Sequence, residues 1–177
     1  YGKYFDKLGW TRLHAAVDHG WIEGIVSAID AGGTLNDRGR DGRTALHLAA
    51  GQPYGRSLAV VEPLLKAGAN PNIRDEQGRL PIELAAYNNE VKTVKCLATH
   101  KSERPDVFSC VLLNDVEALA AVLKKNPDAV KLRNEFGPNP LHIAAREGHT
   151  DLVRMLIETG ADVRSEEHTS ELQSRSA

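Results

Sequence analysis

Apolar residues along this chain come in paired runs. Each pair couples a short, alanine-rich run to a longer run of larger side chains. The short runs are TRLHAAVDHG at 11–20, TALHLAAGQP at 44–53, LPIELAAYNN at 80–89 and NPLHIAAREG at 139–148. The longer ones are IEGIVSAIDAGG, LAVVEPLLKAGANPN, VKTVKCLATH and TDLVRMLIETGADV. Their apolar positions recur three and four apart, the spacing that lines one face of a helix. A glycine-bearing turn precedes each short run: DKLGWT, RDGRT, DEQGRL and NEFGPN. The pattern predicts helix–turn–helix units, each opened by a tight turn.

The units recur at a near-constant period, the signature of a repeat architecture. Thr11 and Thr44 stand 33 residues apart, and Thr44 and Leu80 stand 36 apart. A further unit fits between the third and last copies. There DVFSCVLLNDVEALAAVLKKNPDAV has the two-helix pattern, with Phe108 at the position that is His in three of the other copies and Asn114-Asp115 at the turn. From Leu80 to Pro105 is only 25 residues, so its opening turn is cut short and a local irregularity is expected there. Gly9, Gly42, Gly78 and Gly137 mark the turns. Thr11 and Thr44 sit where a helix takes an N-cap oxygen, and Pro81 and Pro140 fall in a first turn, where a missing N–H costs little. The pairs Ala49-Ala50, Ala85-Ala86 and Ala144-Ala145 allow close helix approach. No unit is large enough to bury its own faces, so stacking must supply the core. Two departures stand out. The loop at 51–59, with Tyr54 and Arg56, is three residues longer than the usual turn between helices, and Pro63 falls inside a second helix, which should be kinked or delayed.

The turn, the T-x-L-H motif, the two helices and the GADV-type loop together resemble the ankyrin repeat. The resemblance covers residues 6–163, in units of 6–38, 39–74, 75–104, 105–133 and 134–163. It implies an all-α solenoid of stacked helix–turn–helix units with hairpin-like loops. It also implies a protein–protein interaction module with no catalytic site and no cofactor. The alternative is the non-catalytic repeat portion of a larger enzyme or effector. In this family the motif histidine makes hydrogen bonds within and between repeats. That role carries over to His14, His47 and His142, with Thr11 and Thr44 as their caps.

Both ends look cut. The chain opens on Tyr1, and residues 164–177 break the periodic pattern after Val163. RSEEHTSELQS resembles the in-frame translation of a common sequencing adapter, so 164–177 is expected to be an artefactual disordered tail. If so, the last pair lacks a cap, leaving Leu152 and Leu156 partly uncovered, and an otherwise monomeric chain could self-associate there.

Composition narrows the chemistry. Of 177 residues 41% are apolar and 26% charged, with a net charge of −2 and only two cysteines. This predicts a cytoplasmic globular protein with no membrane span and no pull towards nucleic acid. Arg38, Arg40 and Arg43 are interleaved with Asp37 and Asp41 and read as a solvated turn tip. Asp75-Glu76 reads the same way. His14 and Asp18 share a helix face, but a metal site needs three or four ligands, and the HEXXH pattern has Ala15 in place of its glutamate. Cys96 and Cys110 read as packed small side chains.

What remains is surface. In the resemblance, turn tips and first-helix ends form a concave face that grips another protein. The tip candidates are Lys7, Leu8, Trp10, Arg40, Arg43, Glu76, Gln77, Arg79, Glu135 and Phe136. The helix-end candidates are Asp18, His19, Tyr87, Asn88, Arg146 and Glu147. His19 and His149 are expected to be exposed, and Leu112 and Leu113 are weaker candidates.

Overall fold

A computed structural model describes residues 9–52, 55–100, 106–134 and 137–162. Lys7, Leu8, Tyr54, Glu135, Phe136 and the tail from 163 lie outside them. Among the described residues all regular structure is helical, in ten α-helices and one 3₁₀ turn. The all-α expectation therefore holds. The chain divides into two compact units, Tyr1–Pro105 and Asp106–Ala177.

The first unit contains three helix pairs: α1 Arg12–Asp18 with α2 Ile22–Asp30, α3 Ala45–Ala50 with α4 Ser57–Lys66, and α5 Pro81–Tyr87 with α6 Val91–Thr99. First helices pack on first helices (α1 on α3, α3 on α5), and second helices do likewise. The unit is thus two layers thick. Leu13, Val17, Ile25, Leu46, Leu64, Ile82, Val94 and Leu97 form its core and are all buried. Ala49, Ala50, Ala85 and Ala86 are fully buried between the first helices, where any longer side chain would push the layers apart.

Helix ends follow the sequence closely. Thr11 Oγ1 accepts the His14 N–H at 3.4 Å, capping α1. Pro81 opens α5, and Glu83 reaches back to accept the Leu80 N–H. Helix α4 runs unbroken through Pro63, so the expected delay does not occur. The carbonyl that Pro63 leaves without a helical donor belongs to Ala59, which is exposed to water.

The second unit pairs α7 Val107–Leu113 with α8 Val116–Lys125, and α9 Pro140–Arg146 with α10 Thr150–Glu158. A 3₁₀ turn, Pro127–Lys131, packs against α8 and α9. Asp106 caps α7 by accepting the Ser109 N–H at 2.9 Å, and Asp115 caps α8 through Ala118 N–H at 3.0 Å. Asn114 takes the left-handed conformation, with φ 55°, that glycine supplies in other turns. Ser109, not Phe108, stands three residues past the cap, where His14 and His47 stand, and Phe108 is buried where the other first helices carry Leu or Ile. Leu112 is buried too, so it offers no surface. Leu152 and Leu156 are 0% exposed, not partly uncovered. They lie four apart on the α10 face turned to α9 and α8, and the exposed apolar residue of that helix is Ile157.

The close first-helix packing is testable. Ala49→Leu should destabilise the chain by about 1–3 kcal/mol through overpacking, read as a lower urea midpoint. An unchanged midpoint would mean that the alanine layer has room to spare.

Candidate functional site

The candidate site starts from one side chain, the histidine that opens a first helix. In α1, His14 Nδ1 accepts the Thr11 backbone N–H at 3.2 Å and lies 2.8 Å from Thr11 Oγ1. Nδ1 is therefore the unprotonated nitrogen, and Nε2 carries the hydrogen. Nε2 donates to the Arg43 carbonyl, 3.2 Å away in the next turn. His47 repeats the arrangement: Thr44 N–H to Nδ1 at 3.1 Å, and Nε2 to the Arg79 carbonyl at 3.1 Å. Each imidazole ties its own helix start to the following hairpin. Burial is the leading influence on both rings and lowers both pKa values, despite the raising effect of the carbonyls they bond and the nearby carboxylates.

The third copy differs. Asn139 Oδ1 accepts the His142 N–H at 2.9 Å and sits 2.6 Å from His142 Nδ1. An amide oxygen only accepts, so here Nδ1 carries the hydrogen, the opposite tautomer.

The hairpins that receive these imidazoles are locked in turn. Gly39 N–H donates to Arg43 O at 2.8 Å, and Asp75 N–H to Arg79 O at 2.9 Å. Glu76 N–H crosses to Asp41 O at 3.1 Å, linking one hairpin to the next. A Cβ on Gly42 would lie 2.8 Å from Glu76 N, so that link requires a glycine. Asp75 is the hub. Its Oδ1 accepts the N–H groups of Gln77 and Arg79 at 3.0 and 2.9 Å. Its Oδ2 accepts Arg79 Nε at 3.0 Å and Nη2 at 2.8 Å. Arg43 Nε approaches the same oxygen to 3.8 Å. Burial works to raise the Asp75 pKa, but the Arg79 hydrogen bonds and charge outweigh it and hold the carboxyl below its usual range. Asp75 is therefore no solvated turn residue. Its side chain is fully buried, because four backbone and guanidinium hydrogens converge on it.

The arginine cluster also needs correction. Arg38 Nε donates to Gly42 O at 3.1 Å and Nη2 to Arg74 O at 3.0 Å, bridging two hairpins. Arg74 and Arg133 likewise donate to Gly78 O and Gly137 O, at 2.8 and 2.9 Å. An arginine four residues before the turn glycine is a repeated brace. It was visible in the sequence as R-x-x-x-G, which the charge-cancellation reading passed over.

The remaining candidates divide between outward and inward positions. Arg40, Glu76 and Gln77 are exposed at the tips, and Asp18, His19, Arg146 and Glu147 are exposed at first-helix ends. Tyr87 is 44% exposed. Arg43 and Arg79 are half-buried and engaged with Asp75. Trp10 is half-buried, its ring stacked on His14 with centroids 6.3 Å apart. Asn88 is buried, and its Nδ2 donates to Gly51 O at 2.8 Å. Gln52 makes the equivalent reach to Val17 O. The amides of Asn88 and Gln52 thus satisfy carbonyls at the C-terminal end of the preceding first helix instead of facing solvent. His149 is half-buried, not exposed.

Among the described residues no group of three or more His, Cys, Asp or Glu side chains is placed to hold a metal ion. Among the described residues no helix is long and apolar enough to cross a membrane. Cys110 is buried and Cys96 half-buried, and burial, seconded by Glu62, pushes the Cys96 thiol pKa up despite Lys66.

Comparison with known proteins places this geometry. The ankyrin repeat model matches residues 41–76, and the model for three copies of the ankyrin repeat matches 107–172, running into the adapter-like stretch. Mouse Rabankyrin-5 is 30% identical over 176 residues, covering 88% of this chain and 15% of its own length. Zebrafish Ankyrin repeat and SAM domain-containing protein 6 is 29% identical over 161 residues, covering 85% of this chain and 21% of its own. Arabidopsis Serine/threonine-protein kinase 12 is 37% identical over 97 residues, covering 55% and 20%. The chain spans about a fifth or less of these relatives.

Two predictions follow from the strut and the hub. A histidine pKa lowered by folding means the unfolded chain binds more protons below pH about 6.5. His14 and His47 stability is thus complete above that pH and lost as pH falls towards the folded-state values. The urea midpoint should drop from pH 7 to 5, and a His14→Gln, His47→Gln double variant should flatten that slope. A wild-type slope in the double variant would assign the titration elsewhere. Asp75→Ala should cost about 3 kcal/mol, because it strands buried donors; a loss below about 0.5 kcal/mol would show that the hub is dispensable.

Proposed function

The chain belongs to the ankyrin repeat family and is a protein-interaction repeat module; on that premise we propose that it grips its partner with the hairpin tips and first-helix ends. What supports this reading is the division of labour within each hairpin. Asp75, Arg79, Arg38 and Gly42 are committed to holding the turns in register. Arg40, Glu76 and Gln77 are turned outward from that fixed frame, and Tyr87 stands exposed at the end of α5. Outward side chains on a rigid base lose little conformational freedom on binding, which favours affinity. Tyrosine and arginine are the residue types that most often dominate an interface. By their place in the repeat, Lys7 and Leu8 with Asp18 and His19 are proposed contacts of the first unit, and Glu135 and Phe136 with Arg146 and Glu147 are proposed contacts of the second.

A second reading is favoured by one observation, the small share of each relative that the chain spans. In it the module is the substrate- or partner-holding portion of a larger enzyme or effector, whose chemistry lies elsewhere. One of the relatives bears a kinase name.

Photo-crosslinkers placed singly at Arg40, Gln77 and Tyr87 should capture a common partner, whereas crosslinkers at the second-helix positions Lys92 and Lys124 should not. Tyr87→Ala and Arg40→Ala should each weaken that partner by about tenfold without shifting the melting temperature. Capture confined to Lys92 and Lys124 would refute the assignment.

A further inference from the structure

The end of the first unit built from α1 and α2 carries a cleft of about 1000 Å³. Ala15, Gly24 and Ala28 give it a small, apolar floor, and Trp21 lines it while remaining 60% exposed. The indole is held in place: a Cβ on Gly24 would lie 2.1 Å from Trp21 Cε3, so the ring rests directly on the glycine. The described lining includes Arg12 and His19 but no carboxylate.

Comparison with the other pairs of the same unit shows what is unusual. Arg12 opens α1, whereas Ala45 and Pro81 open α3 and α5 and are buried. His19 occupies the position of Gln52 and Asn88, whose amides reach carbonyls of the preceding pair. Trp21 occupies the position of Glu90, which accepts the Gly55 N–H of the preceding pair at 2.7 Å. At these three positions the interior pairs turn small or hydrogen-bonded side chains onto a neighbour, and the first pair presents an exposed arginine, histidine and tryptophan. Covering this end buries the Arg12 charge, which is costly unless the covering surface brings a carboxylate. An occupant that suits the cleft brings apolar side chains to Trp21, Ala15 and Ala28, and a carboxylate to Arg12.

We propose that this cleft is an interaction site for an amphipathic helix of a partner protein, with acidic residues beside its apolar stripe. The site is separate from the hairpin tips and meets the first-helix ends only at His19. The preformed seat of Trp21 supplies an aromatic anchor, and Arg12 fixes the sign of the charge that is accepted.

The test is a fluorescence anisotropy titration of the full chain against two labelled peptides of roughly four helical turns. One has leucine and alanine on one face and glutamate on the other; the second has lysine for glutamate. The glutamate peptide should bind and the lysine peptide should not. Arg12→Glu should weaken the glutamate peptide by about tenfold and admit the lysine peptide. Trp21→Ala should lower affinity at least about tenfold. Gly24→Ala should do the same by displacing the ring, and it keeps or raises the melting temperature because alanine favours a helix. It therefore keeps the test decisive if Trp21→Ala unfolds the chain. Lys92→Ala, on α6, should change nothing. Equal binding of the two peptides, binding of neither, or affinity indifferent to Arg12→Glu and Gly24→Ala would overturn the proposal.

Discussion

The first unit depends on an imidazole that must stay neutral. One helix pair cannot bury its own faces, so each needs the next, and apolar packing alone leaves the hairpins between them unfixed. His14 and His47 supply the missing constraint, accepting at Nδ1 from their own turn and donating at Nε2 to the next. Two opposite hydrogen-bonding roles on one ring require the uncharged form. A second proton would replace the Nδ1 acceptor with a donor facing another donor, the Thr N–H.

From that strut the rest follows outward. The carbonyl that receives His47 belongs to Arg79, whose guanidinium closes on Asp75. Asp75 sets the hairpin, Glu76 N–H joins it to the hairpin before, and Arg38 bridges the same pair on the outside. The buried Asp75 carboxylate is satisfied on both oxygens by the donors around it, which suits a network placed at the edge of a small core. The outcome is a row of tips whose frame is fixed and whose outward side chains are free to be chosen for a partner.

Much of this was legible in the sequence. The repeated T-x-L-H run marked the helix starts, and the alanine pairs marked the close packing, because period and side-chain size act locally. Less legible was which polar residues turn inward. Asp75 takes the turn position that Gly39 holds in the hairpin before, and it is buried because two arginines converge on it, whereas Asp41, one residue before its own turn glycine, is only half-buried. Asn88 resembled a solvent residue until Gly51 of the preceding pair gave it a carbonyl to meet. Pro63 violates a local rule without visible consequence, because the bond it removes faces water. Leu152 and Leu156 are covered from within their own unit, so a reading from chain position alone misplaced them. For Asn88 the deciding atom lies a full repeat away.

Long-range nitrogen NMR of the histidine side chains at neutral pH tests the central claim most directly. His14 and His47 should each show one fixed tautomer with the hydrogen on Nε2, and His142 the reverse, with the hydrogen on Nδ1. Averaged nitrogen shifts for His14 and His47, as in a free imidazole exchanging tautomers, would contradict the strut and the account built on it.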